Sequence, residues 1–240
     1  MAKRFQLQDF AYAHRGLWTN DGLPENSMAA FQAAAVQGLG IEFDVRPSAD
    51  GVPIIFHDPT LDRMTQETGK VEERRASDLV ELPLRGGGEI IRLEDLLSDW
   101  PAQTPLLCEI KIDGETDPVV FCAAVAALID AHEGPAAMMS FSTLAVASIP
   151  ETIMRGQLIA PSEGNATKNL AATPKVSVDY LACHTGDAQN ASLQEARTTL
   201  PLITWTVKSA EACETLASLT ESQIFEGFDP ALAKRHIFNT

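Results

Sequence analysis

Four residues, SADG at 48–51, separate two apolar runs, IEFDVRP at 41–47 and VPIIFH at 52–57. A parallel crossover needs about a dozen residues or more, usually with a helix. The second run must therefore turn back antiparallel, as a hairpin arm on the first. Setting that arm aside leaves strand-like runs at 10–16, 41–47, 104–112, 136–141, 155–160, 179–184, 201–207 and 222–228. Helical patterns alternate with most of them, at 25–38, 92–100 and 117–132, with weaker ones at 143–149 and 165–172. In the first of these, Asn26 is the expected cap and Gly38 the stop signal. Eight strands alternating with helices predict an α/β fold, a TIM (β/α)8 barrel with a β-hairpin arm after the second strand. A doubly wound open sheet has the same local pattern and is the alternative. The stretch 59–91 is polar and Gly-rich with only weak strand or helix signals. Such an excursion predicts a small insertion over one barrel mouth, within a single domain spanning 1–240.

A chain of 240 residues, 45% of them hydrophobic, can bury one sizeable core. Its net charge of −15 and pI of about 4.6 argue against nucleic acid or a stable membrane association. An anionic substrate would then depend on a local positive site. The N-terminus MAKRFQLQDF has no apolar run behind its basic residues, so no signal peptide is expected. The longest apolar stretch, VVFCAAVAALIDA, falls short of the roughly 20 residues of a membrane span. Cys108, Cys122, Cys183 and Cys213 form no CxxC and sit in apolar settings, as buried, reduced thiols of a cytoplasmic protein would. Composition leaves the oligomeric state open.

Period-2 alternation puts Glu42, Asp44 and Arg46 on one strand face and Ile41, Phe43 and Val45 on the other. In the next barrel strand Glu109 and Lys111 share a face, with Cys108, Ile110 and Ile112 opposite. Three carboxylates thus point into one small volume, where repulsion and desolvation would raise their pKa values. One divalent cation would compensate them, and oxygen-only ligands favour Mg2+, Ca2+ or Mn2+ over zinc. The alternative is simple pairing with Arg15, Arg46 and Lys111. His14 ends the first strand, and His57 ends the hairpin arm, opposite roughly residue 42 or 43. Two histidines beside a metal, with Arg15 and Lys111 to balance phosphoryl oxygens, suit acid/base chemistry on a phosphate ester. His184 ends a strand at the barrel mouth, Trp18 lies close enough in sequence to wall the pocket, and Trp100 reads as structural. His132 and His236 read as surface residues.

AHRG (13–16), PENS (24–27), EFDV (42–45), DGVPIIFHD (50–58) and EIK (109–111) together closely resemble the glycerophosphodiester phosphodiesterase family. LDRMTQETGKV (61–71) and ITWTV (203–207) also fit its pattern. The resemblance implies a TIM-type barrel with a small insertion, one bound Mg2+ or Ca2+, and a small-molecule glycerophosphodiester as partner. It implies hydrolysis to sn-glycerol 3-phosphate and an alcohol. By the family pattern Glu42, Asp44 and Glu109 would hold the metal, His14 and His57 would form the acid/base pair, and Arg15 and Lys111 would hold phosphate. Glu25 would act near His14 or a substrate hydroxyl, and Trp205 would line the glycerol side. The chain departs from the pattern at Ser27, at RPSADG (46–51), at Lys208 and at FEGFDP (225–230), where Gly227 and Phe228 replace a small polar tip. These departures leave the leaving-group preference open, and a lysophospholipid cleaved on the same site is the alternative substrate. A non-catalytic phosphodiester-binding barrel should lack a histidine or a metal acid, and none is missing.

Overall fold

The structure, a computed structural model, describes residues 4–161 and 177–234. Its strands are β1 (Tyr12–His14), β2 (Gly40–Pro47), β3 (Pro53–Ile55), β4 (Ile91–Arg92), β5 (Leu106–Ile110), β6 (Ala136–Ser140), β7 (Met154–Ile159), β8 (Tyr180–His184), β9 (Leu202–Val207) and β10 (Ser222–Phe225). β1 pairs in parallel with both β2 and β10, β2 pairs with β5, and β5 through β10 follow in order. The parallel strands therefore close on themselves as a TIM-type barrel, which removes the open-sheet alternative. β3 lies antiparallel on β2, and β4 antiparallel on β3, both outside the barrel. The hairpin turn is held by the N–H of Gly51 donating to the carbonyl of Ser48 at 2.9 Å and that of Val52 donating to Ser48 Oγ at 3.0 Å.

Strand alternation sorts the core into two layers. Ile41, Phe43, Val45, Leu106, Cys108 and Ile110 face outward, where Phe31, Leu96, Phe121 and Val125 of the surrounding helices cover them. Tyr12, Leu107, Tyr180 and Ile203 fill the interior above Leu7. The barrel is thus packed rather than hollow, as its fold requires. Gly156 makes room for this filling: a Cβ there would lie 2.2 Å from the Tyr180 ring.

The helix expected over 25–38 runs from Met28 to Val36, but its cap is Ser27, whose Oγ accepts the N–H of Ala30 at 3.2 Å. Asn26 instead adopts φ +53 and turns its amide toward Asp44. Gly38, at φ +68, ends the helix as expected. Asp117 caps the helix Pro118–Ala131. The helical pattern at 165–172 and His236 lie outside the described residues. The stretch 59–91 has more structure than its composition suggests. It carries a short helix, Ala76–Leu79, and strand β4. Leu61, Val71, Leu79, Leu84 and Ile90 bury against Ile54 and Phe56 as a separate apolar cluster. They come from irregular chain, one 3-10 turn and one four-residue helix, none long enough to show a period that a sequence reading can detect.

His132 is buried, not on the surface, with Nε2 lacking a hydrogen-bond partner. Trp100 is structural: its buried indole donates to the carbonyl of Thr104 at 2.8 Å. The four cysteines are buried and free. Among the described residues no helix is long and apolar enough to cross a membrane.

Candidate active site

The end of β1 sets the first side of the site. His14 pairs in register with Glu42, and Asp44 pairs with Glu109. His14 and Glu109 stand at or next to the C-terminal ends of their strands, the end at which TIM barrels place their chemistry, and Glu42 and Asp44 lie level with them on the longer β2. Arg15 follows at φ +57 and Gly16 at φ +85. The left-handed Arg15 backbone is held by its N–H on the Glu42 carbonyl at 2.8 Å and by Asn26 N–H on its own carbonyl at 2.9 Å. The reversal brings the Arg15 guanidinium to Glu25 at 2.8 Å and to Asp44 at 3.3 Å. Gly16 cannot carry a side chain, since a Cβ would meet the Ala30 backbone at 2.8 Å.

Glu42, Asp44 and Glu109 each offer one oxygen, all within 4.8 Å of one another. Lys111 Nζ lies 3.0 Å from Asp44 and 2.5 Å from Glu109. Asn26 Nδ2 donates to Asp44 at 2.9 Å. Arg46 takes no part: its Nε donates to the carbonyl of His57 at 2.7 Å and its Nη1 to Asp113 at 2.5 Å. Salt bridging therefore accounts for Asp44 and Glu109 but leaves Glu42 Oε2 buried without a hydrogen-bond partner. Burial, then repulsion from Asp44 and Glu109, pushes the Glu42 carboxyl well above its ordinary range. Burial also raises Glu109, against the pull of Lys111. Burial acts on Asp44 too, but Lys111 and Arg15 overcome it and hold that carboxyl well below the usual carboxylate range. A buried all-oxygen set with one orphaned oxygen and excess negative charge fits a hard divalent cation.

Each histidine has a carboxylate behind it. His57 follows Phe56, whose N–H extends the hairpin ladder onto the Asp44 carbonyl at 3.1 Å. Its Nδ1 meets Asp58 at 2.7 Å. Arg63 then clamps Asp58 at 2.6 Å and reaches across to Glu25 at 2.6 and 2.8 Å. Burial opposes ionisation of Asp58, yet Arg63 and His57 bring it down to about 2. His14 Nδ1 meets Glu226, whose other oxygen lies 2.8 Å from Lys208 Nζ. Burial likewise opposes ionisation of Glu226, but His14 and Lys208 lower it to about 2. Desolvation lowers the pKa of both histidines despite these partners.

A cavity of about 190 Å³ joins these groups. His14, His57, Arg15, Lys111, Glu42 and Glu109 line one part, and Met139, Phe141, Leu158, Trp205 and Ile224 the other. Trp205 stands edge-on to Phe141 at 5.5 Å and to His184 at 5.4 Å. His184 does not itself line this cavity; its Nδ1 accepts the N–H of Gly186 at 3.1 Å. Trp18 donates to the carbonyl of His14 at 3.0 Å and lines a neighbouring cavity with Lys208 and Phe228. Glu25 sits between Arg15 and Arg63, and the carboxylate on His14 is Glu226. Sequence pattern points to no site role for Asp58, Arg63 or Glu226, and only to a helix cap for Asn26. Asp58 lies inside DGVPIIFHD and Arg63 inside LDRMTQETGKV, so a signal existed for them; Glu226 lies in FEGFDP, but nothing local marks it as a partner for His14.

The model of the "Glycerophosphoryl diester phosphodiesterase family" matches residues 14–235. A curated relative of Mycobacterium tuberculosis, named "Probable glycerophosphodiester phosphodiesterase 2", is 40% identical over 111 residues, which span 46% of this chain and 41% of the relative. The match thus spans less than half the length of that relative. An Oleispira antarctica phosphodiesterase, solved in complex with the product sn-glycerol-3-phosphate, superposes with a TM-score of 0.79 at 23% identity, covering 93% of this chain and 94% of the other. The Thermotoga maritima glycerophosphodiester phosphodiesterase superposes with a TM-score of 0.74 at 21% identity, covering 90% and 93%.

Proposed function

The chain belongs to the glycerophosphoryl diester phosphodiesterase family, and on that premise we propose that it hydrolyses glycerophosphodiesters to sn-glycerol 3-phosphate and an alcohol, in a metal-dependent reaction with two acid/base histidines. The observation that carries this reading is the shared cavity: two carboxylate-backed histidines, two cations and two acids of an under-compensated triad, Glu42 and Glu109, line about 190 Å³. The cavity has room for a glycerol phosphate, which is in keeping with a small diester as substrate; a lysophospholipid on the same site is the alternative. The product-bound Oleispira antarctica structure on the same fold is in keeping with it.

Glu42, Asp44 and Glu109 would hold one Mg2+ or Ca2+. Such an ion, when bound, neutralises phosphoryl charge and lowers the pKa of a coordinated hydroxyl. Lys111 is held by Glu109 and Asp44 and Arg15 by Glu25, with Asp44 at ion-pair distance, and both are open to the cavity, where they would balance the remaining phosphoryl oxygens. Burial favours the neutral form of the histidines, so one of them can accept a proton from the attacking hydroxyl. The other, once protonated, gives its proton to the leaving alcohol oxygen. Trp205 and Phe141 form the apolar wall against which the glycerol carbons would pack.

Turnover of glycerophosphocholine, glycerophosphoethanolamine and lysophosphatidylcholine, each measured with Mg2+, with Ca2+ and with chelator, tests the reading. The glycerophosphodiesters should be cleaved with metal, and chelation should lower the rate at least a hundredfold. Activity that survives exhaustive chelation refutes the metal assignment, and no turnover on any diester refutes the enzyme.

A further inference from the structure

We propose that Glu226 is a positioning residue for His14, holding the ring as its Nδ1–H tautomer so that Nε2 presents its lone pair to the cavity. The proposal rests on the reading of His14 as an acid/base group. The Glu226 backbone is tied to the barrel by its N–H on the Val207 carbonyl at 2.9 Å, directly after β10, which pairs with β1. Its two oxygens are divided: Oε2 meets His14 Nδ1, and Oε1 meets Lys208 at 2.8 Å. An ionised carboxylate only accepts hydrogen bonds. Nδ1 must then carry the proton, because two lone pairs facing each other at hydrogen-bond distance would repel. The other ring nitrogen lies 3.8 Å from Glu42 Oε2, beyond hydrogen-bond reach, on the side where the acid triad and the cavity lie. When Nε2 takes a proton, the imidazolium that forms keeps Nδ1–H on Glu226, so the carboxylate stabilises the charge without moving.

A role confined to packing does not account for this arrangement. Among the described residues Glu226 makes no side-chain hydrogen bond or ion pair other than these two. Lys208 is 71% exposed, so it anchors the carboxylate from the solvent side and does not take it away from His14. Lys208 is also one of the positions at which the chain departs from the family pattern, as is the FEGFDP segment that contains Glu226. The pairing is therefore a property of this chain's own residues.

Long-range 1H–15N correlation spectra of protein labelled at histidine, at neutral pH, read the tautomer directly and need no turnover. His14→Gln assigns the signal. In the unmodified protein His14 should show a single Nδ1–H tautomer; a dominant Nε2–H form overturns the proposal. In Glu226→Gln the amide can donate as well as accept, so the tautomer should become mixed or reverse. With it kcat should fall roughly 10–100-fold, with KM within about threefold, while Glu226→Asp recovers part of the loss. A Glu226→Gln protein with unchanged tautomer and unchanged kcat also overturns the proposal. If the unmodified protein cleaves no glycerophosphodiester, the functional reading fails, whereas the spectrum still decides the tautomer. The unmodified protein supplies that spectrum even if a variant does not fold.

Discussion

His14 stands on a barrel strand, and its carboxylate partner, Glu226, is 212 residues away in sequence; His57 stands at the end of a hairpin arm outside the barrel, and its partner is its own neighbour, Asp58. The first ring is 14% exposed and the second 32%. The His14 arm takes its geometry from barrel closure. β1 meets β10 in register, and the chain then reverses through Arg15 and Gly16, packed on the backbone of Ala30. The His57 arm takes its geometry from a four-residue turn and a short antiparallel ladder, and Arg63 fastens it to Glu25 afterwards. Two routes, one global and one local, thus deliver equivalent imidazole–carboxylate pairs to one cavity. The difference lies in what each arm depends on.

Removing either ring should have the largest effect. His14→Ala and His57→Ala should each lower kcat by roughly 10²–10⁴-fold, measured on glycerophosphocholine with metal, with near-native circular dichroism. An arm whose loss costs less than about threefold is not part of the acid/base pair, and the comparison breaks there. The next effect separates the arms by backbone packing. Gly16 and Gly51 both have left-handed φ, +85 and +77. A Cβ at Gly51 meets nothing within 4 Å, whereas at Gly16 it meets backbone at 2.8 Å. Gly51→Ala should cost about 1 kcal/mol from conformation alone, and Gly16→Ala about 2–4 kcal/mol. Denaturant melts give both values, and thermal melts should shift by roughly 2–4 °C per kcal/mol. Equal losses would show that the barrel arm is no more tightly built than the hairpin.

The smallest effect concerns the clamp. Asp58 and Glu226 are both depressed to about 2 in the folded protein. A carboxylate with a lowered folded pKa contributes stability that is fully present above its ordinary range, about 4, and is lost as pH falls toward the folded value. Arg63→Ala should weaken the Asp58 part of that acid slope and leave the Glu226 part, changing stability by under about 1 kcal/mol because Arg63 is half exposed. Melting temperatures between pH 2 and 6 check this. An unchanged slope would mean that Arg63 does not hold the hairpin arm.

Much of this site is legible from local pattern. The alternation in 41–47 and 104–112 assigns Glu42, Asp44 and Glu109 to the interior because a strand turns successive side chains to opposite faces. The brevity of SADG forces the hairpin because a chain cannot cross a barrel in four residues. Other features answer to no local pattern. Asn26 looks like a helix cap and serves Asp44 instead, since Ser27 takes the cap and frees it. Residues 59–91 look structureless because their apolar side chains come from irregular chain and elements of three or four residues, too short to show a period.

By itself, then, the sequence determined the order of strands and helices, the faces that carry charge, and the residue types from which a metal-dependent phosphodiesterase site could be made. Only the tertiary structure decided which carboxylate stands behind His14, that Arg46 leaves the acid cluster for Asp113, and that Glu42 keeps a buried oxygen with no hydrogen-bond partner. The physical reason is range. Periodicity, turns and caps act within a few residues, whereas the contact between His14 and Glu226 exists only when the last strand closes against the first, and the lone oxygen of Glu42 follows from where every nearby cation has gone.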